Sequence, residues 1–302
     1  MRLAETTDVT ITTVVDNYSD LLVGAMPGVE RHGPGKGPLL AEHGVSVHIR
    51  LGAEGREILL DAGGHTKVAL PHNLAQLGID PTRVDQVVIS HGHRDHTAGL
   101  AEFLGMASKR IPVVVHPDAF LERWFIFPDG SKVGPWHEKQ QEWEEAGADI
   151  VHVEEPYELA PGCLATGPIP RRTDFEKGMA SAYYRQDGEL VQDPINDDQS
   201  IVVNIEGKGL VVVAGCAHSG IVNTVHYAQE ISGVEKVWAV LGGFHLGDAT
   251  PEKVGRTIDE MKTVGPRLVM PAHCTGFAAT RRFSEDMSRE FVLNAVGTRL
   301  TF

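Results

Sequence analysis

The chain has 302 residues, 42% of them hydrophobic, and a formal net charge of -14 at pH 7. This length and composition allow a large buried core and argue against a disordered chain. The negative charge leaves no general basic field, which argues against a nucleic-acid or anionic-membrane surface and favours a small-molecule or metal-associated partner.

The sequence also bears on the cellular compartment. No apolar run approaches the roughly 18 residues of a membrane span, and "MRLAETTDVTITTVVDN" lacks the basic and apolar regions of a signal peptide. The three cysteines, Cys163, Cys216 and Cys274, are far apart and odd in number, which is a poor disulfide framework. We therefore expect a cytoplasmic protein.

The first part of the chain alternates strand-like and helix-like segments. "DVTITTVVDN" has the alternation of a half-buried strand and is followed by a loop rich in Gly and Pro. The next predicted elements are the strands "GVSVHIRL" and "REILLDAG", joined by the turn "GAEG", the helix "HNLAQLGI", the strand "QVVIS", the helix "TAGLAEFLG" and the strand "IPVVVHP". This alternation predicts an α/β fold.

Residues 118–200 are the least regular part of the sequence and are rich in Gly, Pro and charge. Regularity returns in the strands "SIVVNIEG", "GLVVVAG", "VWAVLGG" and "RLVMPAH" and in the helices "IVNTVHYAQEIS" and "PEKVGRTIDEMKTV". No linker divides the chain. We predict one domain over residues 1–302, with residues 118–200 as an irregular insertion that could form a lid.

Side chains of the kind that bind metals stand where predicted strands end. These residues are Asp61, His91, Cys216, His218, His245 and His273. Open α/β sheets place their sites just beyond the carboxyl ends of strands, where loops converge on one crevice. We therefore expect these side chains to lie close together.

The stretch "HGHRDH", residues 91–96, has four possible ligands directly behind a strand. In an extended turn His91 and His93 project to the same side, while Asp95 and His96 can project toward a second point as a helix begins. Imidazole and carboxylate suit Zn²⁺, and also Mn²⁺ or iron. The spacing predicts two divalent metal ions; the alternative is a set of surface or helix-capping polar residues.

"SHGHRDHTAGL" resembles the HxHxDH motif of the metallo-β-lactamase superfamily, and Asp61 after "ILL" matches the aspartate that precedes this motif. The stretches "EHGVSVHI", "TGPIPRRTDFE", "GCAHSGIVNTV", "GGFHL" and "PAHCTG" resemble the superfamily branch of 7,8-dihydropterin-6-ylmethyl-4-(β-D-ribofuranosyl)aminobenzene 5′-phosphate synthases and related hydrolases. The resemblance implies an αββα four-layer sandwich, in which two β-sheets lie between outer helices and the metals lie at the sheet edge.

The resemblance also implies a ligand set. His91 and His93 match the ligands of the first metal, and Asp95 and His96 match those of the second. His273 matches the final histidine of the superfamily, a ligand of the second metal; the alternative is a buried histidine that hydrogen-bonds to the backbone.

The middle motif departs from the family pattern. Cys216 stands at the position of the bridging aspartate, and its thiol could bind zinc or merely pack. His218, two residues later, could supply the missing imidazole. His245 is a competing ligand, but we favour a hydrogen-bond partner of a ligand or a substrate contact, and for Asp61 we favour a role in orienting a ligand histidine.

These expectations predict a hydrolase. Zinc lowers the pKa of a bound water from 15.7 toward about 7, and Asp95 is the residue that would orient this nucleophile and take its proton. The substrate would be an ester, lactone, amide, phosphoester or activated aryl ether. Two alternatives stay open: a synthase-type transferase that joins a dihydropterin to an aminobenzene riboside phosphate, and a metal-binding protein without catalysis.

Aromatic residues are concentrated in the predicted insertion. Trp124, Trp136 and Trp143, with Phe125 and Phe127, could wall a slot for a flat ring or form a lid. The alternatives are a local core and an oligomer contact, and the oligomeric state stays open.

Two arginines in "PIPRRTDFE" are candidates for binding an anionic group. Arg171 and Arg172 could hold a carboxylate or phosphate in a bidentate manner. They could equally pair with Asp174 and Glu176 at the surface.

Overall fold

The computed structural model describes residues 2–33, 35–64 and 66–302. Within these residues, none of the helices combines the length and the apolar character that a membrane crossing requires.

A mixed β-sheet contains most of the N-terminal strands. They are β1 (Thr10–Val15), β2 (Val29–Glu30), β3 (Ser46–Leu51), β4 (Arg56–Leu60), β5 (Gln86–Val88), β6 (Ile111–Val115) and β9 (Ala148–His152), with β18 (Arg299–Thr301) from the C-terminus. Their order is β2-β18-β1-β3-β4-β5-β6-β9. β3 and β4 form the predicted hairpin, whereas β4, β5, β6 and β9 run parallel.

A second mixed sheet faces the first. Its strands are β10 (Tyr157–Ala160), β11 (Cys163–Ala165), β14 (Ser200–Ile205), β15 (Gly209–Ala214), β16 (Val237–Gly243) and β17 (Leu268–Ala272), in the order β10-β11-β14-β15-β16-β17. β15, β16 and β17 are parallel to one another. Their carboxyl ends therefore lie at one edge of this sheet.

Helices cover the outer faces of both sheets. They are α1 (Ala69–Leu77), α3 (Leu100–Ala107), α4 (Gln140–Ala146), α5 (Ile221–Ser232), α6 (Pro251–Val264) and α7 (Phe277–Asp286), while the short helix α2 (Arg94–Thr97) lies within the motif "HGHRDH". Buried side chains of α1, α3 and α4 pack on the first sheet, and those of α5, α6 and α7 pack on the second. The predicted αββα sandwich is confirmed.

The alternation of side chains along the strands produces these layers. In β4, Ile58 and Leu60 join the core between the two sheets, whereas Leu59 joins the core under the helices. In β5 and the residue after it, Val88 points to the inner core and Ile89 to the outer one. A strand with both faces buried is an apolar run, because successive side chains point to opposite faces.

Residues 118–200 are more regular than the sequence indicated. They contribute α4, β9, β10 and β11 to the sandwich, and they form a third sheet with β7 (Arg123–Ile126), β8 (Lys132–Trp136), β12 (Ala182–Gln186) and β13 (Glu189–Gln192). We call this sheet, of order β13-β12-β7-β8, the cap sheet. The prediction of an irregular segment was wrong because these short strands are partly exposed and carry charges, which hides their hydrophobic period.

The strand β16 requires glycine at the edge where the sheets end. Gly242 has φ of 116°, and a Cβ atom on it would lie 2.0 Å from the carbonyl oxygen of Ala214 in the neighbouring strand β15. We predict that Gly242→Ala lowers the free energy of unfolding by about 1–3 kcal/mol or more, the cost of forcing a residue with a side chain into this backbone region.

The matched control is Gly255→Ala in helix α6, where an added Cβ would meet no atom within 4 Å. This change should stabilise the protein by about 0.5–1 kcal/mol, because alanine loses less backbone entropy in a helix than glycine does. Urea unfolding of both variants checks the pair. Equal stability of the two variants would contradict this account of Gly242.

Candidate metal centre

The residues that follow five parallel strands meet at one edge of the sandwich. Asp61 follows β4 and His91 lies shortly after β5, while the residues after β15, β16 and β17 include Cys216, His245 and His273. The two sheets therefore contribute side chains to the same place. This is the convergence that the strand-end pattern predicts.

The first group of possible ligands consists of three histidines. One ligand nitrogen from each of His91, His93 and His218 lies within 4.8 Å of the others, and all three residues are buried. The Nε2 atoms of His91 and His218 are 3.1 Å apart. Two turns, one from each sheet, therefore bring three imidazoles to one point.

The second group has mixed chemistry. It contains Asp95, His96, Cys216 and His273, whose ligand atoms also lie within 4.8 Å of one another. His96 Nε2 is 3.1 Å from Cys216 Sγ, and His273 Nε2 is 3.1 Å from Asp95 Oδ2. Cys216, which matches the position of the family's bridging aspartate, thus has its sulfur among possible ligands and not in the hydrophobic core.

Hydrogen bonds accepted by Asp61 and Ser90 fix which nitrogen of His96 and His91 carries a hydrogen. Asp61 Oδ2 lies 2.6 Å from His96 Nδ1 and accepts the Ser90 hydroxyl at 2.7 Å. Because the Ser90 hydrogen is used in this way, its Oγ is free to accept from His91 Nδ1 at 2.9 Å. The Nε2 atoms of His91 and His96 therefore face the centre, as expected when an aspartate orients a ligand histidine.

His273 is oriented by two residues that the sequence reasoning missed. Its Nδ1 donates to Asn17 Oδ1 at 3.0 Å, and its main-chain N–H donates to Asp16 Oδ1 at 3.0 Å. Both residues directly follow the strand "TITTVV", so the rule that selected the other strand ends could have found them. The Nε2 atom of His273 is again left to face the centre.

The arrangement fits divalent cations. Three buried imidazole nitrogens have no hydrogen-bond partner among the described residues: His93 Nε2, His218 Nδ1 and His273 Nε2. Buried polar atoms normally have partners, because leaving them unpaired is costly. Convergent imidazole lone pairs with a carboxylate and a sulfur are the donor set of zinc, so both groups could hold a metal ion.

The pKa values of the histidines agree with this reading. Burial lowers the pKa of His93 to about 3 and that of His273 to about 4, so both imidazoles are neutral and their lone pairs are free. Burial also opposes the charge of His96, but Asp61 and Asp95 outweigh it and raise the pKa of His96 to about 9. Without metal His96 is therefore protonated at neutral pH, and a cation bound at its Nε2 would take the place of that proton beside the two carboxylates.

A cavity of about 550 Å³ opens beside both groups. Its floor includes His93 and His218 of the first group and Asp95 and Cys216 of the second. A molecule in this cavity would thus lie against both groups at once.

The cap sheet supplies an aromatic wall. Phe125 and Trp136 line the cavity with their ring centroids 4.5 Å apart, and these rings lie 5.4 and 5.8 Å from the ring of His93. The prediction for Trp124 was wrong, since it does not line the cavity and packs under the guanidinium of Arg185. Trp124 precedes Phe125 in β7, and adjacent residues of a strand point to opposite faces.

The other aromatic residues of this segment lie elsewhere. Trp143 belongs to the core under the helices, where its ring centroid is 4.9 Å from that of Phe120. For Trp143 the structure therefore favours the alternative of a local core.

Arg171 and Arg172 do not line the cavity, so their predicted contact with substrate was wrong. Arg171 hydrogen-bonds to the main-chain carbonyl groups of Pro194 and Ile195. Arg172 forms a surface ion pair with Glu230, which lies 58 residues further along the chain, and not with the acidic residues next to it in sequence. Both arginine side chains therefore have partners outside the cavity, and Asp174 forms its ion pair with Arg256.

His245 lies in the cavity wall but belongs to neither group. Its ring centroid is 4.2 Å from that of His218. Of the two roles that we favoured, a hydrogen-bond partner of a ligand or a substrate contact, its place in the cavity wall allows the second, and both stay predictions.

Two further residues of the cavity were missed. His43 Nε2 lies 3.4 Å from Asp95 Oδ2, and its ring lies 4.8 Å from that of His273. Arg94, within the motif "HGHRDH" itself, also lines the cavity. The sequence did contain a signal for Arg94, because it lies between the possible ligands His93 and Asp95. As the first residue of a helix beside the site, its side chain is exposed there.

The chain matches the family model of the metallo-β-lactamase superfamily over residues 41–229. It belongs to this superfamily. One relative, the 7,8-dihydropterin-6-methyl-4-(β-D-ribofuranosyl)-aminobenzene-5′-phosphate synthase of Methanocaldococcus jannaschii, is 34% identical over 260 residues, which cover 84% of this chain and 88% of that protein.

Solved structures share the fold. A metal-dependent hydrolase of the β-lactamase superfamily superposes with a TM-score of 0.76 at 25% identity and covers 97% of this chain and 98% of its own. The Zn²⁺-bound PqqB of Methylobacterium extorquens has a TM-score of 0.52 at 14% identity, covering 97% of this chain and 100% of its own. Together with the family match, these likenesses place the paired ligand groups within a metallo-β-lactamase fold.

Removal of metal should destabilise the protein, because the possible ligands come from loops of both sheets and a bound ion holds them together. At free Zn²⁺ about 1,000-fold above its Kd, binding stabilises the folded state by about 4 kcal/mol. We therefore expect a lower melting temperature after chelation, measured by calorimetry with metal content checked in parallel. An unchanged melting temperature after complete metal removal would contradict the expectation.

Proposed function

We propose that this protein is a dinuclear metal-dependent hydrolase that acts on a small substrate with an aromatic or heterocyclic part. The observation that carries the proposal is the common cavity floor, in which donor atoms of both groups are exposed to the same space. A substrate bound there can contact both sites while water reaches it from the same side.

Divalent ions bound at the two groups would supply a water molecule of lowered pKa. The residue that would hold this water is Asp95, which belongs to the second group and also lines the cavity. Burial favours its neutral form, but His96 and His273 outweigh burial and hold the pKa of Asp95 well below its usual value. Its carboxylate therefore stays ionised and can accept the hydrogen bond that orients the attacking water.

The apolar wall would select the substrate. The apolar part of the cavity lining consists of Phe125, Val133, Pro135, Trp136 and Met179. Flat apolar walls of this kind hold a ring and keep bulk water from the reacting bond. This supports an aromatic or heterocyclic ester, lactone, phosphoester or activated aryl ether.

Arg94 would contact an anionic part of the substrate. It is exposed and lines the cavity, and among the described residues no carboxylate forms an ion pair with it. A guanidinium binds carboxylate or phosphate oxygens through directed N–H donors. Arg94 thus takes the role that the sequence had suggested for Arg171 and Arg172.

A synthase-type transferase is the second candidate function, because the synthase of Methanocaldococcus jannaschii is similar to most of this chain. Such a reaction requires basic side chains that hold a pyrophosphate leaving group near the metals. Among the described residues that line the cavity, Arg94 is the arginine and there is no lysine. This sparse positive charge favours hydrolysis. The open cavity beside the ligand groups likewise disfavours a metal-binding protein without catalysis.

The deciding experiment is a substrate screen with the zinc- and manganese-loaded protein. It would compare chromogenic esters, lactones, phosphodiesters and nitroaryl ethers with the condensation of a dihydropterin pyrophosphate and an aminobenzene riboside phosphate. We expect hydrolysis of at least one class, lost with chelator and restored by metal. Condensation without hydrolysis of any class would overturn the proposal in favour of the transferase.

Asp95→Asn should abolish turnover while the fold is retained. An amide binds metal more weakly and is a poorer hydrogen-bond acceptor for water, so we expect kcat to fall by about 10²–10⁴-fold, as for loss of a positioned acid–base group. Steady-state kinetics of metal-replete protein measure the change. Asp187→Asn, at an exposed turn of the cap sheet, is the control and should retain full activity. Substantial activity of Asp95→Asn would refute the assigned role.

Arg94→Ala should raise KM for substrates that carry a carboxylate or phosphate by roughly 10-fold or more, the value of a hydrogen bond to a charged group. Neutral analogues of the same substrates should be unaffected, and Arg94→Lys should retain part of the selectivity. The measurement is the ratio of kcat/KM between charged and neutral members of a pair. If this ratio does not change, Arg94 is not the anion contact.

A further inference from the structure

Three consecutive polar residues are buried directly before strand β14. Asp197, Asp198 and Gln199 are each at most 1% exposed, although they lie in neither a helix nor a strand. Burial of polar side chains is unfavourable unless their hydrogen bonds are made inside the protein. The hydrogen-bond partners of these residues therefore indicate what their buried side chains do in the structure.

Asp197 holds the turn that carries the first two histidines. Its Oδ2 accepts the main-chain N–H of Gly92 at 2.7 Å, and Gly92 lies between His91 and His93. A Cβ atom on Gly92 would lie 2.1 Å from the carbonyl oxygen of Ala119, so this turn has no room for a side chain. The hydrogen bond therefore fixes the position from which both imidazoles project.

Asp198 holds the turn that carries the third histidine. Its Oδ2 accepts the main-chain N–H of Ser219 at 2.7 Å, and Ser219 directly follows His218. This turn comes from the second sheet, whereas the turn held by Asp197 comes from the first.

Gln199 fixes the same stretch to the end of β5. Its side-chain Nε2 donates to the carbonyl oxygen of Ile89 at 2.9 Å, and its main-chain N–H donates to that of Ser90 at 2.9 Å. The two residues that precede His91 are thus bound to the stretch that holds His218 in place.

Arg123 fixes the orientation of Asp197. Its Nη2 and Nη1 donate to the two carboxylate oxygens of Asp197 at 2.6 and 3.0 Å, and its Nε donates to Asp193 at 2.7 Å. Arg123 is 1% exposed and belongs to β7 of the cap sheet. A bidentate pair of this kind restricts the carboxylate to one plane.

We propose that Asp197, Asp198 and Gln199 form a positioning segment that sets the separation of the two turns of the three-histidine group. These residues act through the main chain and touch neither the substrate nor the ligand atoms. The second group is positioned by other residues, since Asn17 holds His273. The segment should therefore govern the metal affinity of one group and not of the other.

The buried atoms around His218 give a second indication. His218 Nδ1, Ser219 Oγ and Asp198 Oδ1 have no hydrogen-bond partner among the described residues. The turn that carries His218 therefore has a buried acceptor beside it, Asp198 Oδ1, and a buried ring nitrogen, His218 Nδ1, that both lack partners in the part of the chain that the structure describes.

The inference rests on the metal site of the proposed function but not on its reaction, so the test uses metal alone. Metal-free protein is titrated with Co²⁺ by calorimetry, and the thiolate-to-cobalt absorption identifies the binding step at the group that contains Cys216. Asp198→Ala should weaken the step at the three-histidine group by about 10–100-fold, as losses of residues that orient ligands do. The other step should be unchanged.

Two variants complete the design. Asp198→Asn restores an acceptor for the Ser219 N–H and should recover most of the affinity. Asn17→Ala should show the opposite pattern, with the loss at the step that reports the Cys216 group. Asp198→Ser is the substitute if Asp198→Ala does not fold, because its short hydroxyl cannot span the distance to Ser219.

The outcomes separate the inference from the proposed function. A selective loss in Asp198→Ala, with recovery in Asp198→Asn, supports it. Equal losses at both steps, or no loss at either, overturn it, and the melting temperature of the metal-free variants shows whether an equal loss reflects the whole fold. If the wild-type protein binds no cobalt, the metal site itself is wrong and both proposals fail.

Discussion

The structure depends on imidazole nitrogens from two β-sheets that face one another in a buried place. The Nε2 atoms of His91 and His218 are 3.1 Å apart, and the hydrogen bond from His91 Nδ1 leaves its Nε2 as a lone pair. Without metal, a neutral His218 can donate its Nε2 hydrogen to this lone pair, but its buried Nδ1 then has no partner among the described residues. A divalent ion bound to the three-histidine group would take the place of this hydrogen, so the geometry favours metal binding at the edge where the sheets end.

The layers of the sandwich make this arrangement possible. Apolar side chains fill the space between the sheets and under the helices, so the strand ends are held rigidly and their loops can carry polar groups. The cap sheet then adds Phe125 and Trp136 over the ligand groups, and Arg123 connects this sheet to Asp197 behind them. The superfamily membership accounts for the sandwich, whereas the function has to be argued from the cavity and the side chains that line it.

The sequence predicted the sandwich and the ligand-bearing turns because both leave a local signal. Apolar runs marked the doubly buried strands, and "HGHRDH" concentrated four ligand types in six residues. The cap sheet left a weak signal in the sequence, because its strands are short and half exposed. Trp124 therefore could not be distinguished from Phe125.

The roles of Arg171 and Arg172 were predicted wrongly, because their partners, main-chain carbonyl groups and Glu230, lie far away in sequence. Asp197 and Asp198 have the sequence of an ordinary acidic loop. Their neighbours in sequence do not indicate that they accept the main-chain N–H groups of Gly92 and Ser219.

The central claim is that the two groups each hold one metal ion over a shared cavity. Anomalous diffraction at the zinc edge from crystals of the zinc-loaded protein tests it most directly. The account predicts two peaks per chain, one about 2.0–2.1 Å from nitrogens of His91, His93 and His218 and one at the same distance from nitrogens of His96 and His273. Crystals grown at saturating zinc in which either group lacks a peak would contradict it.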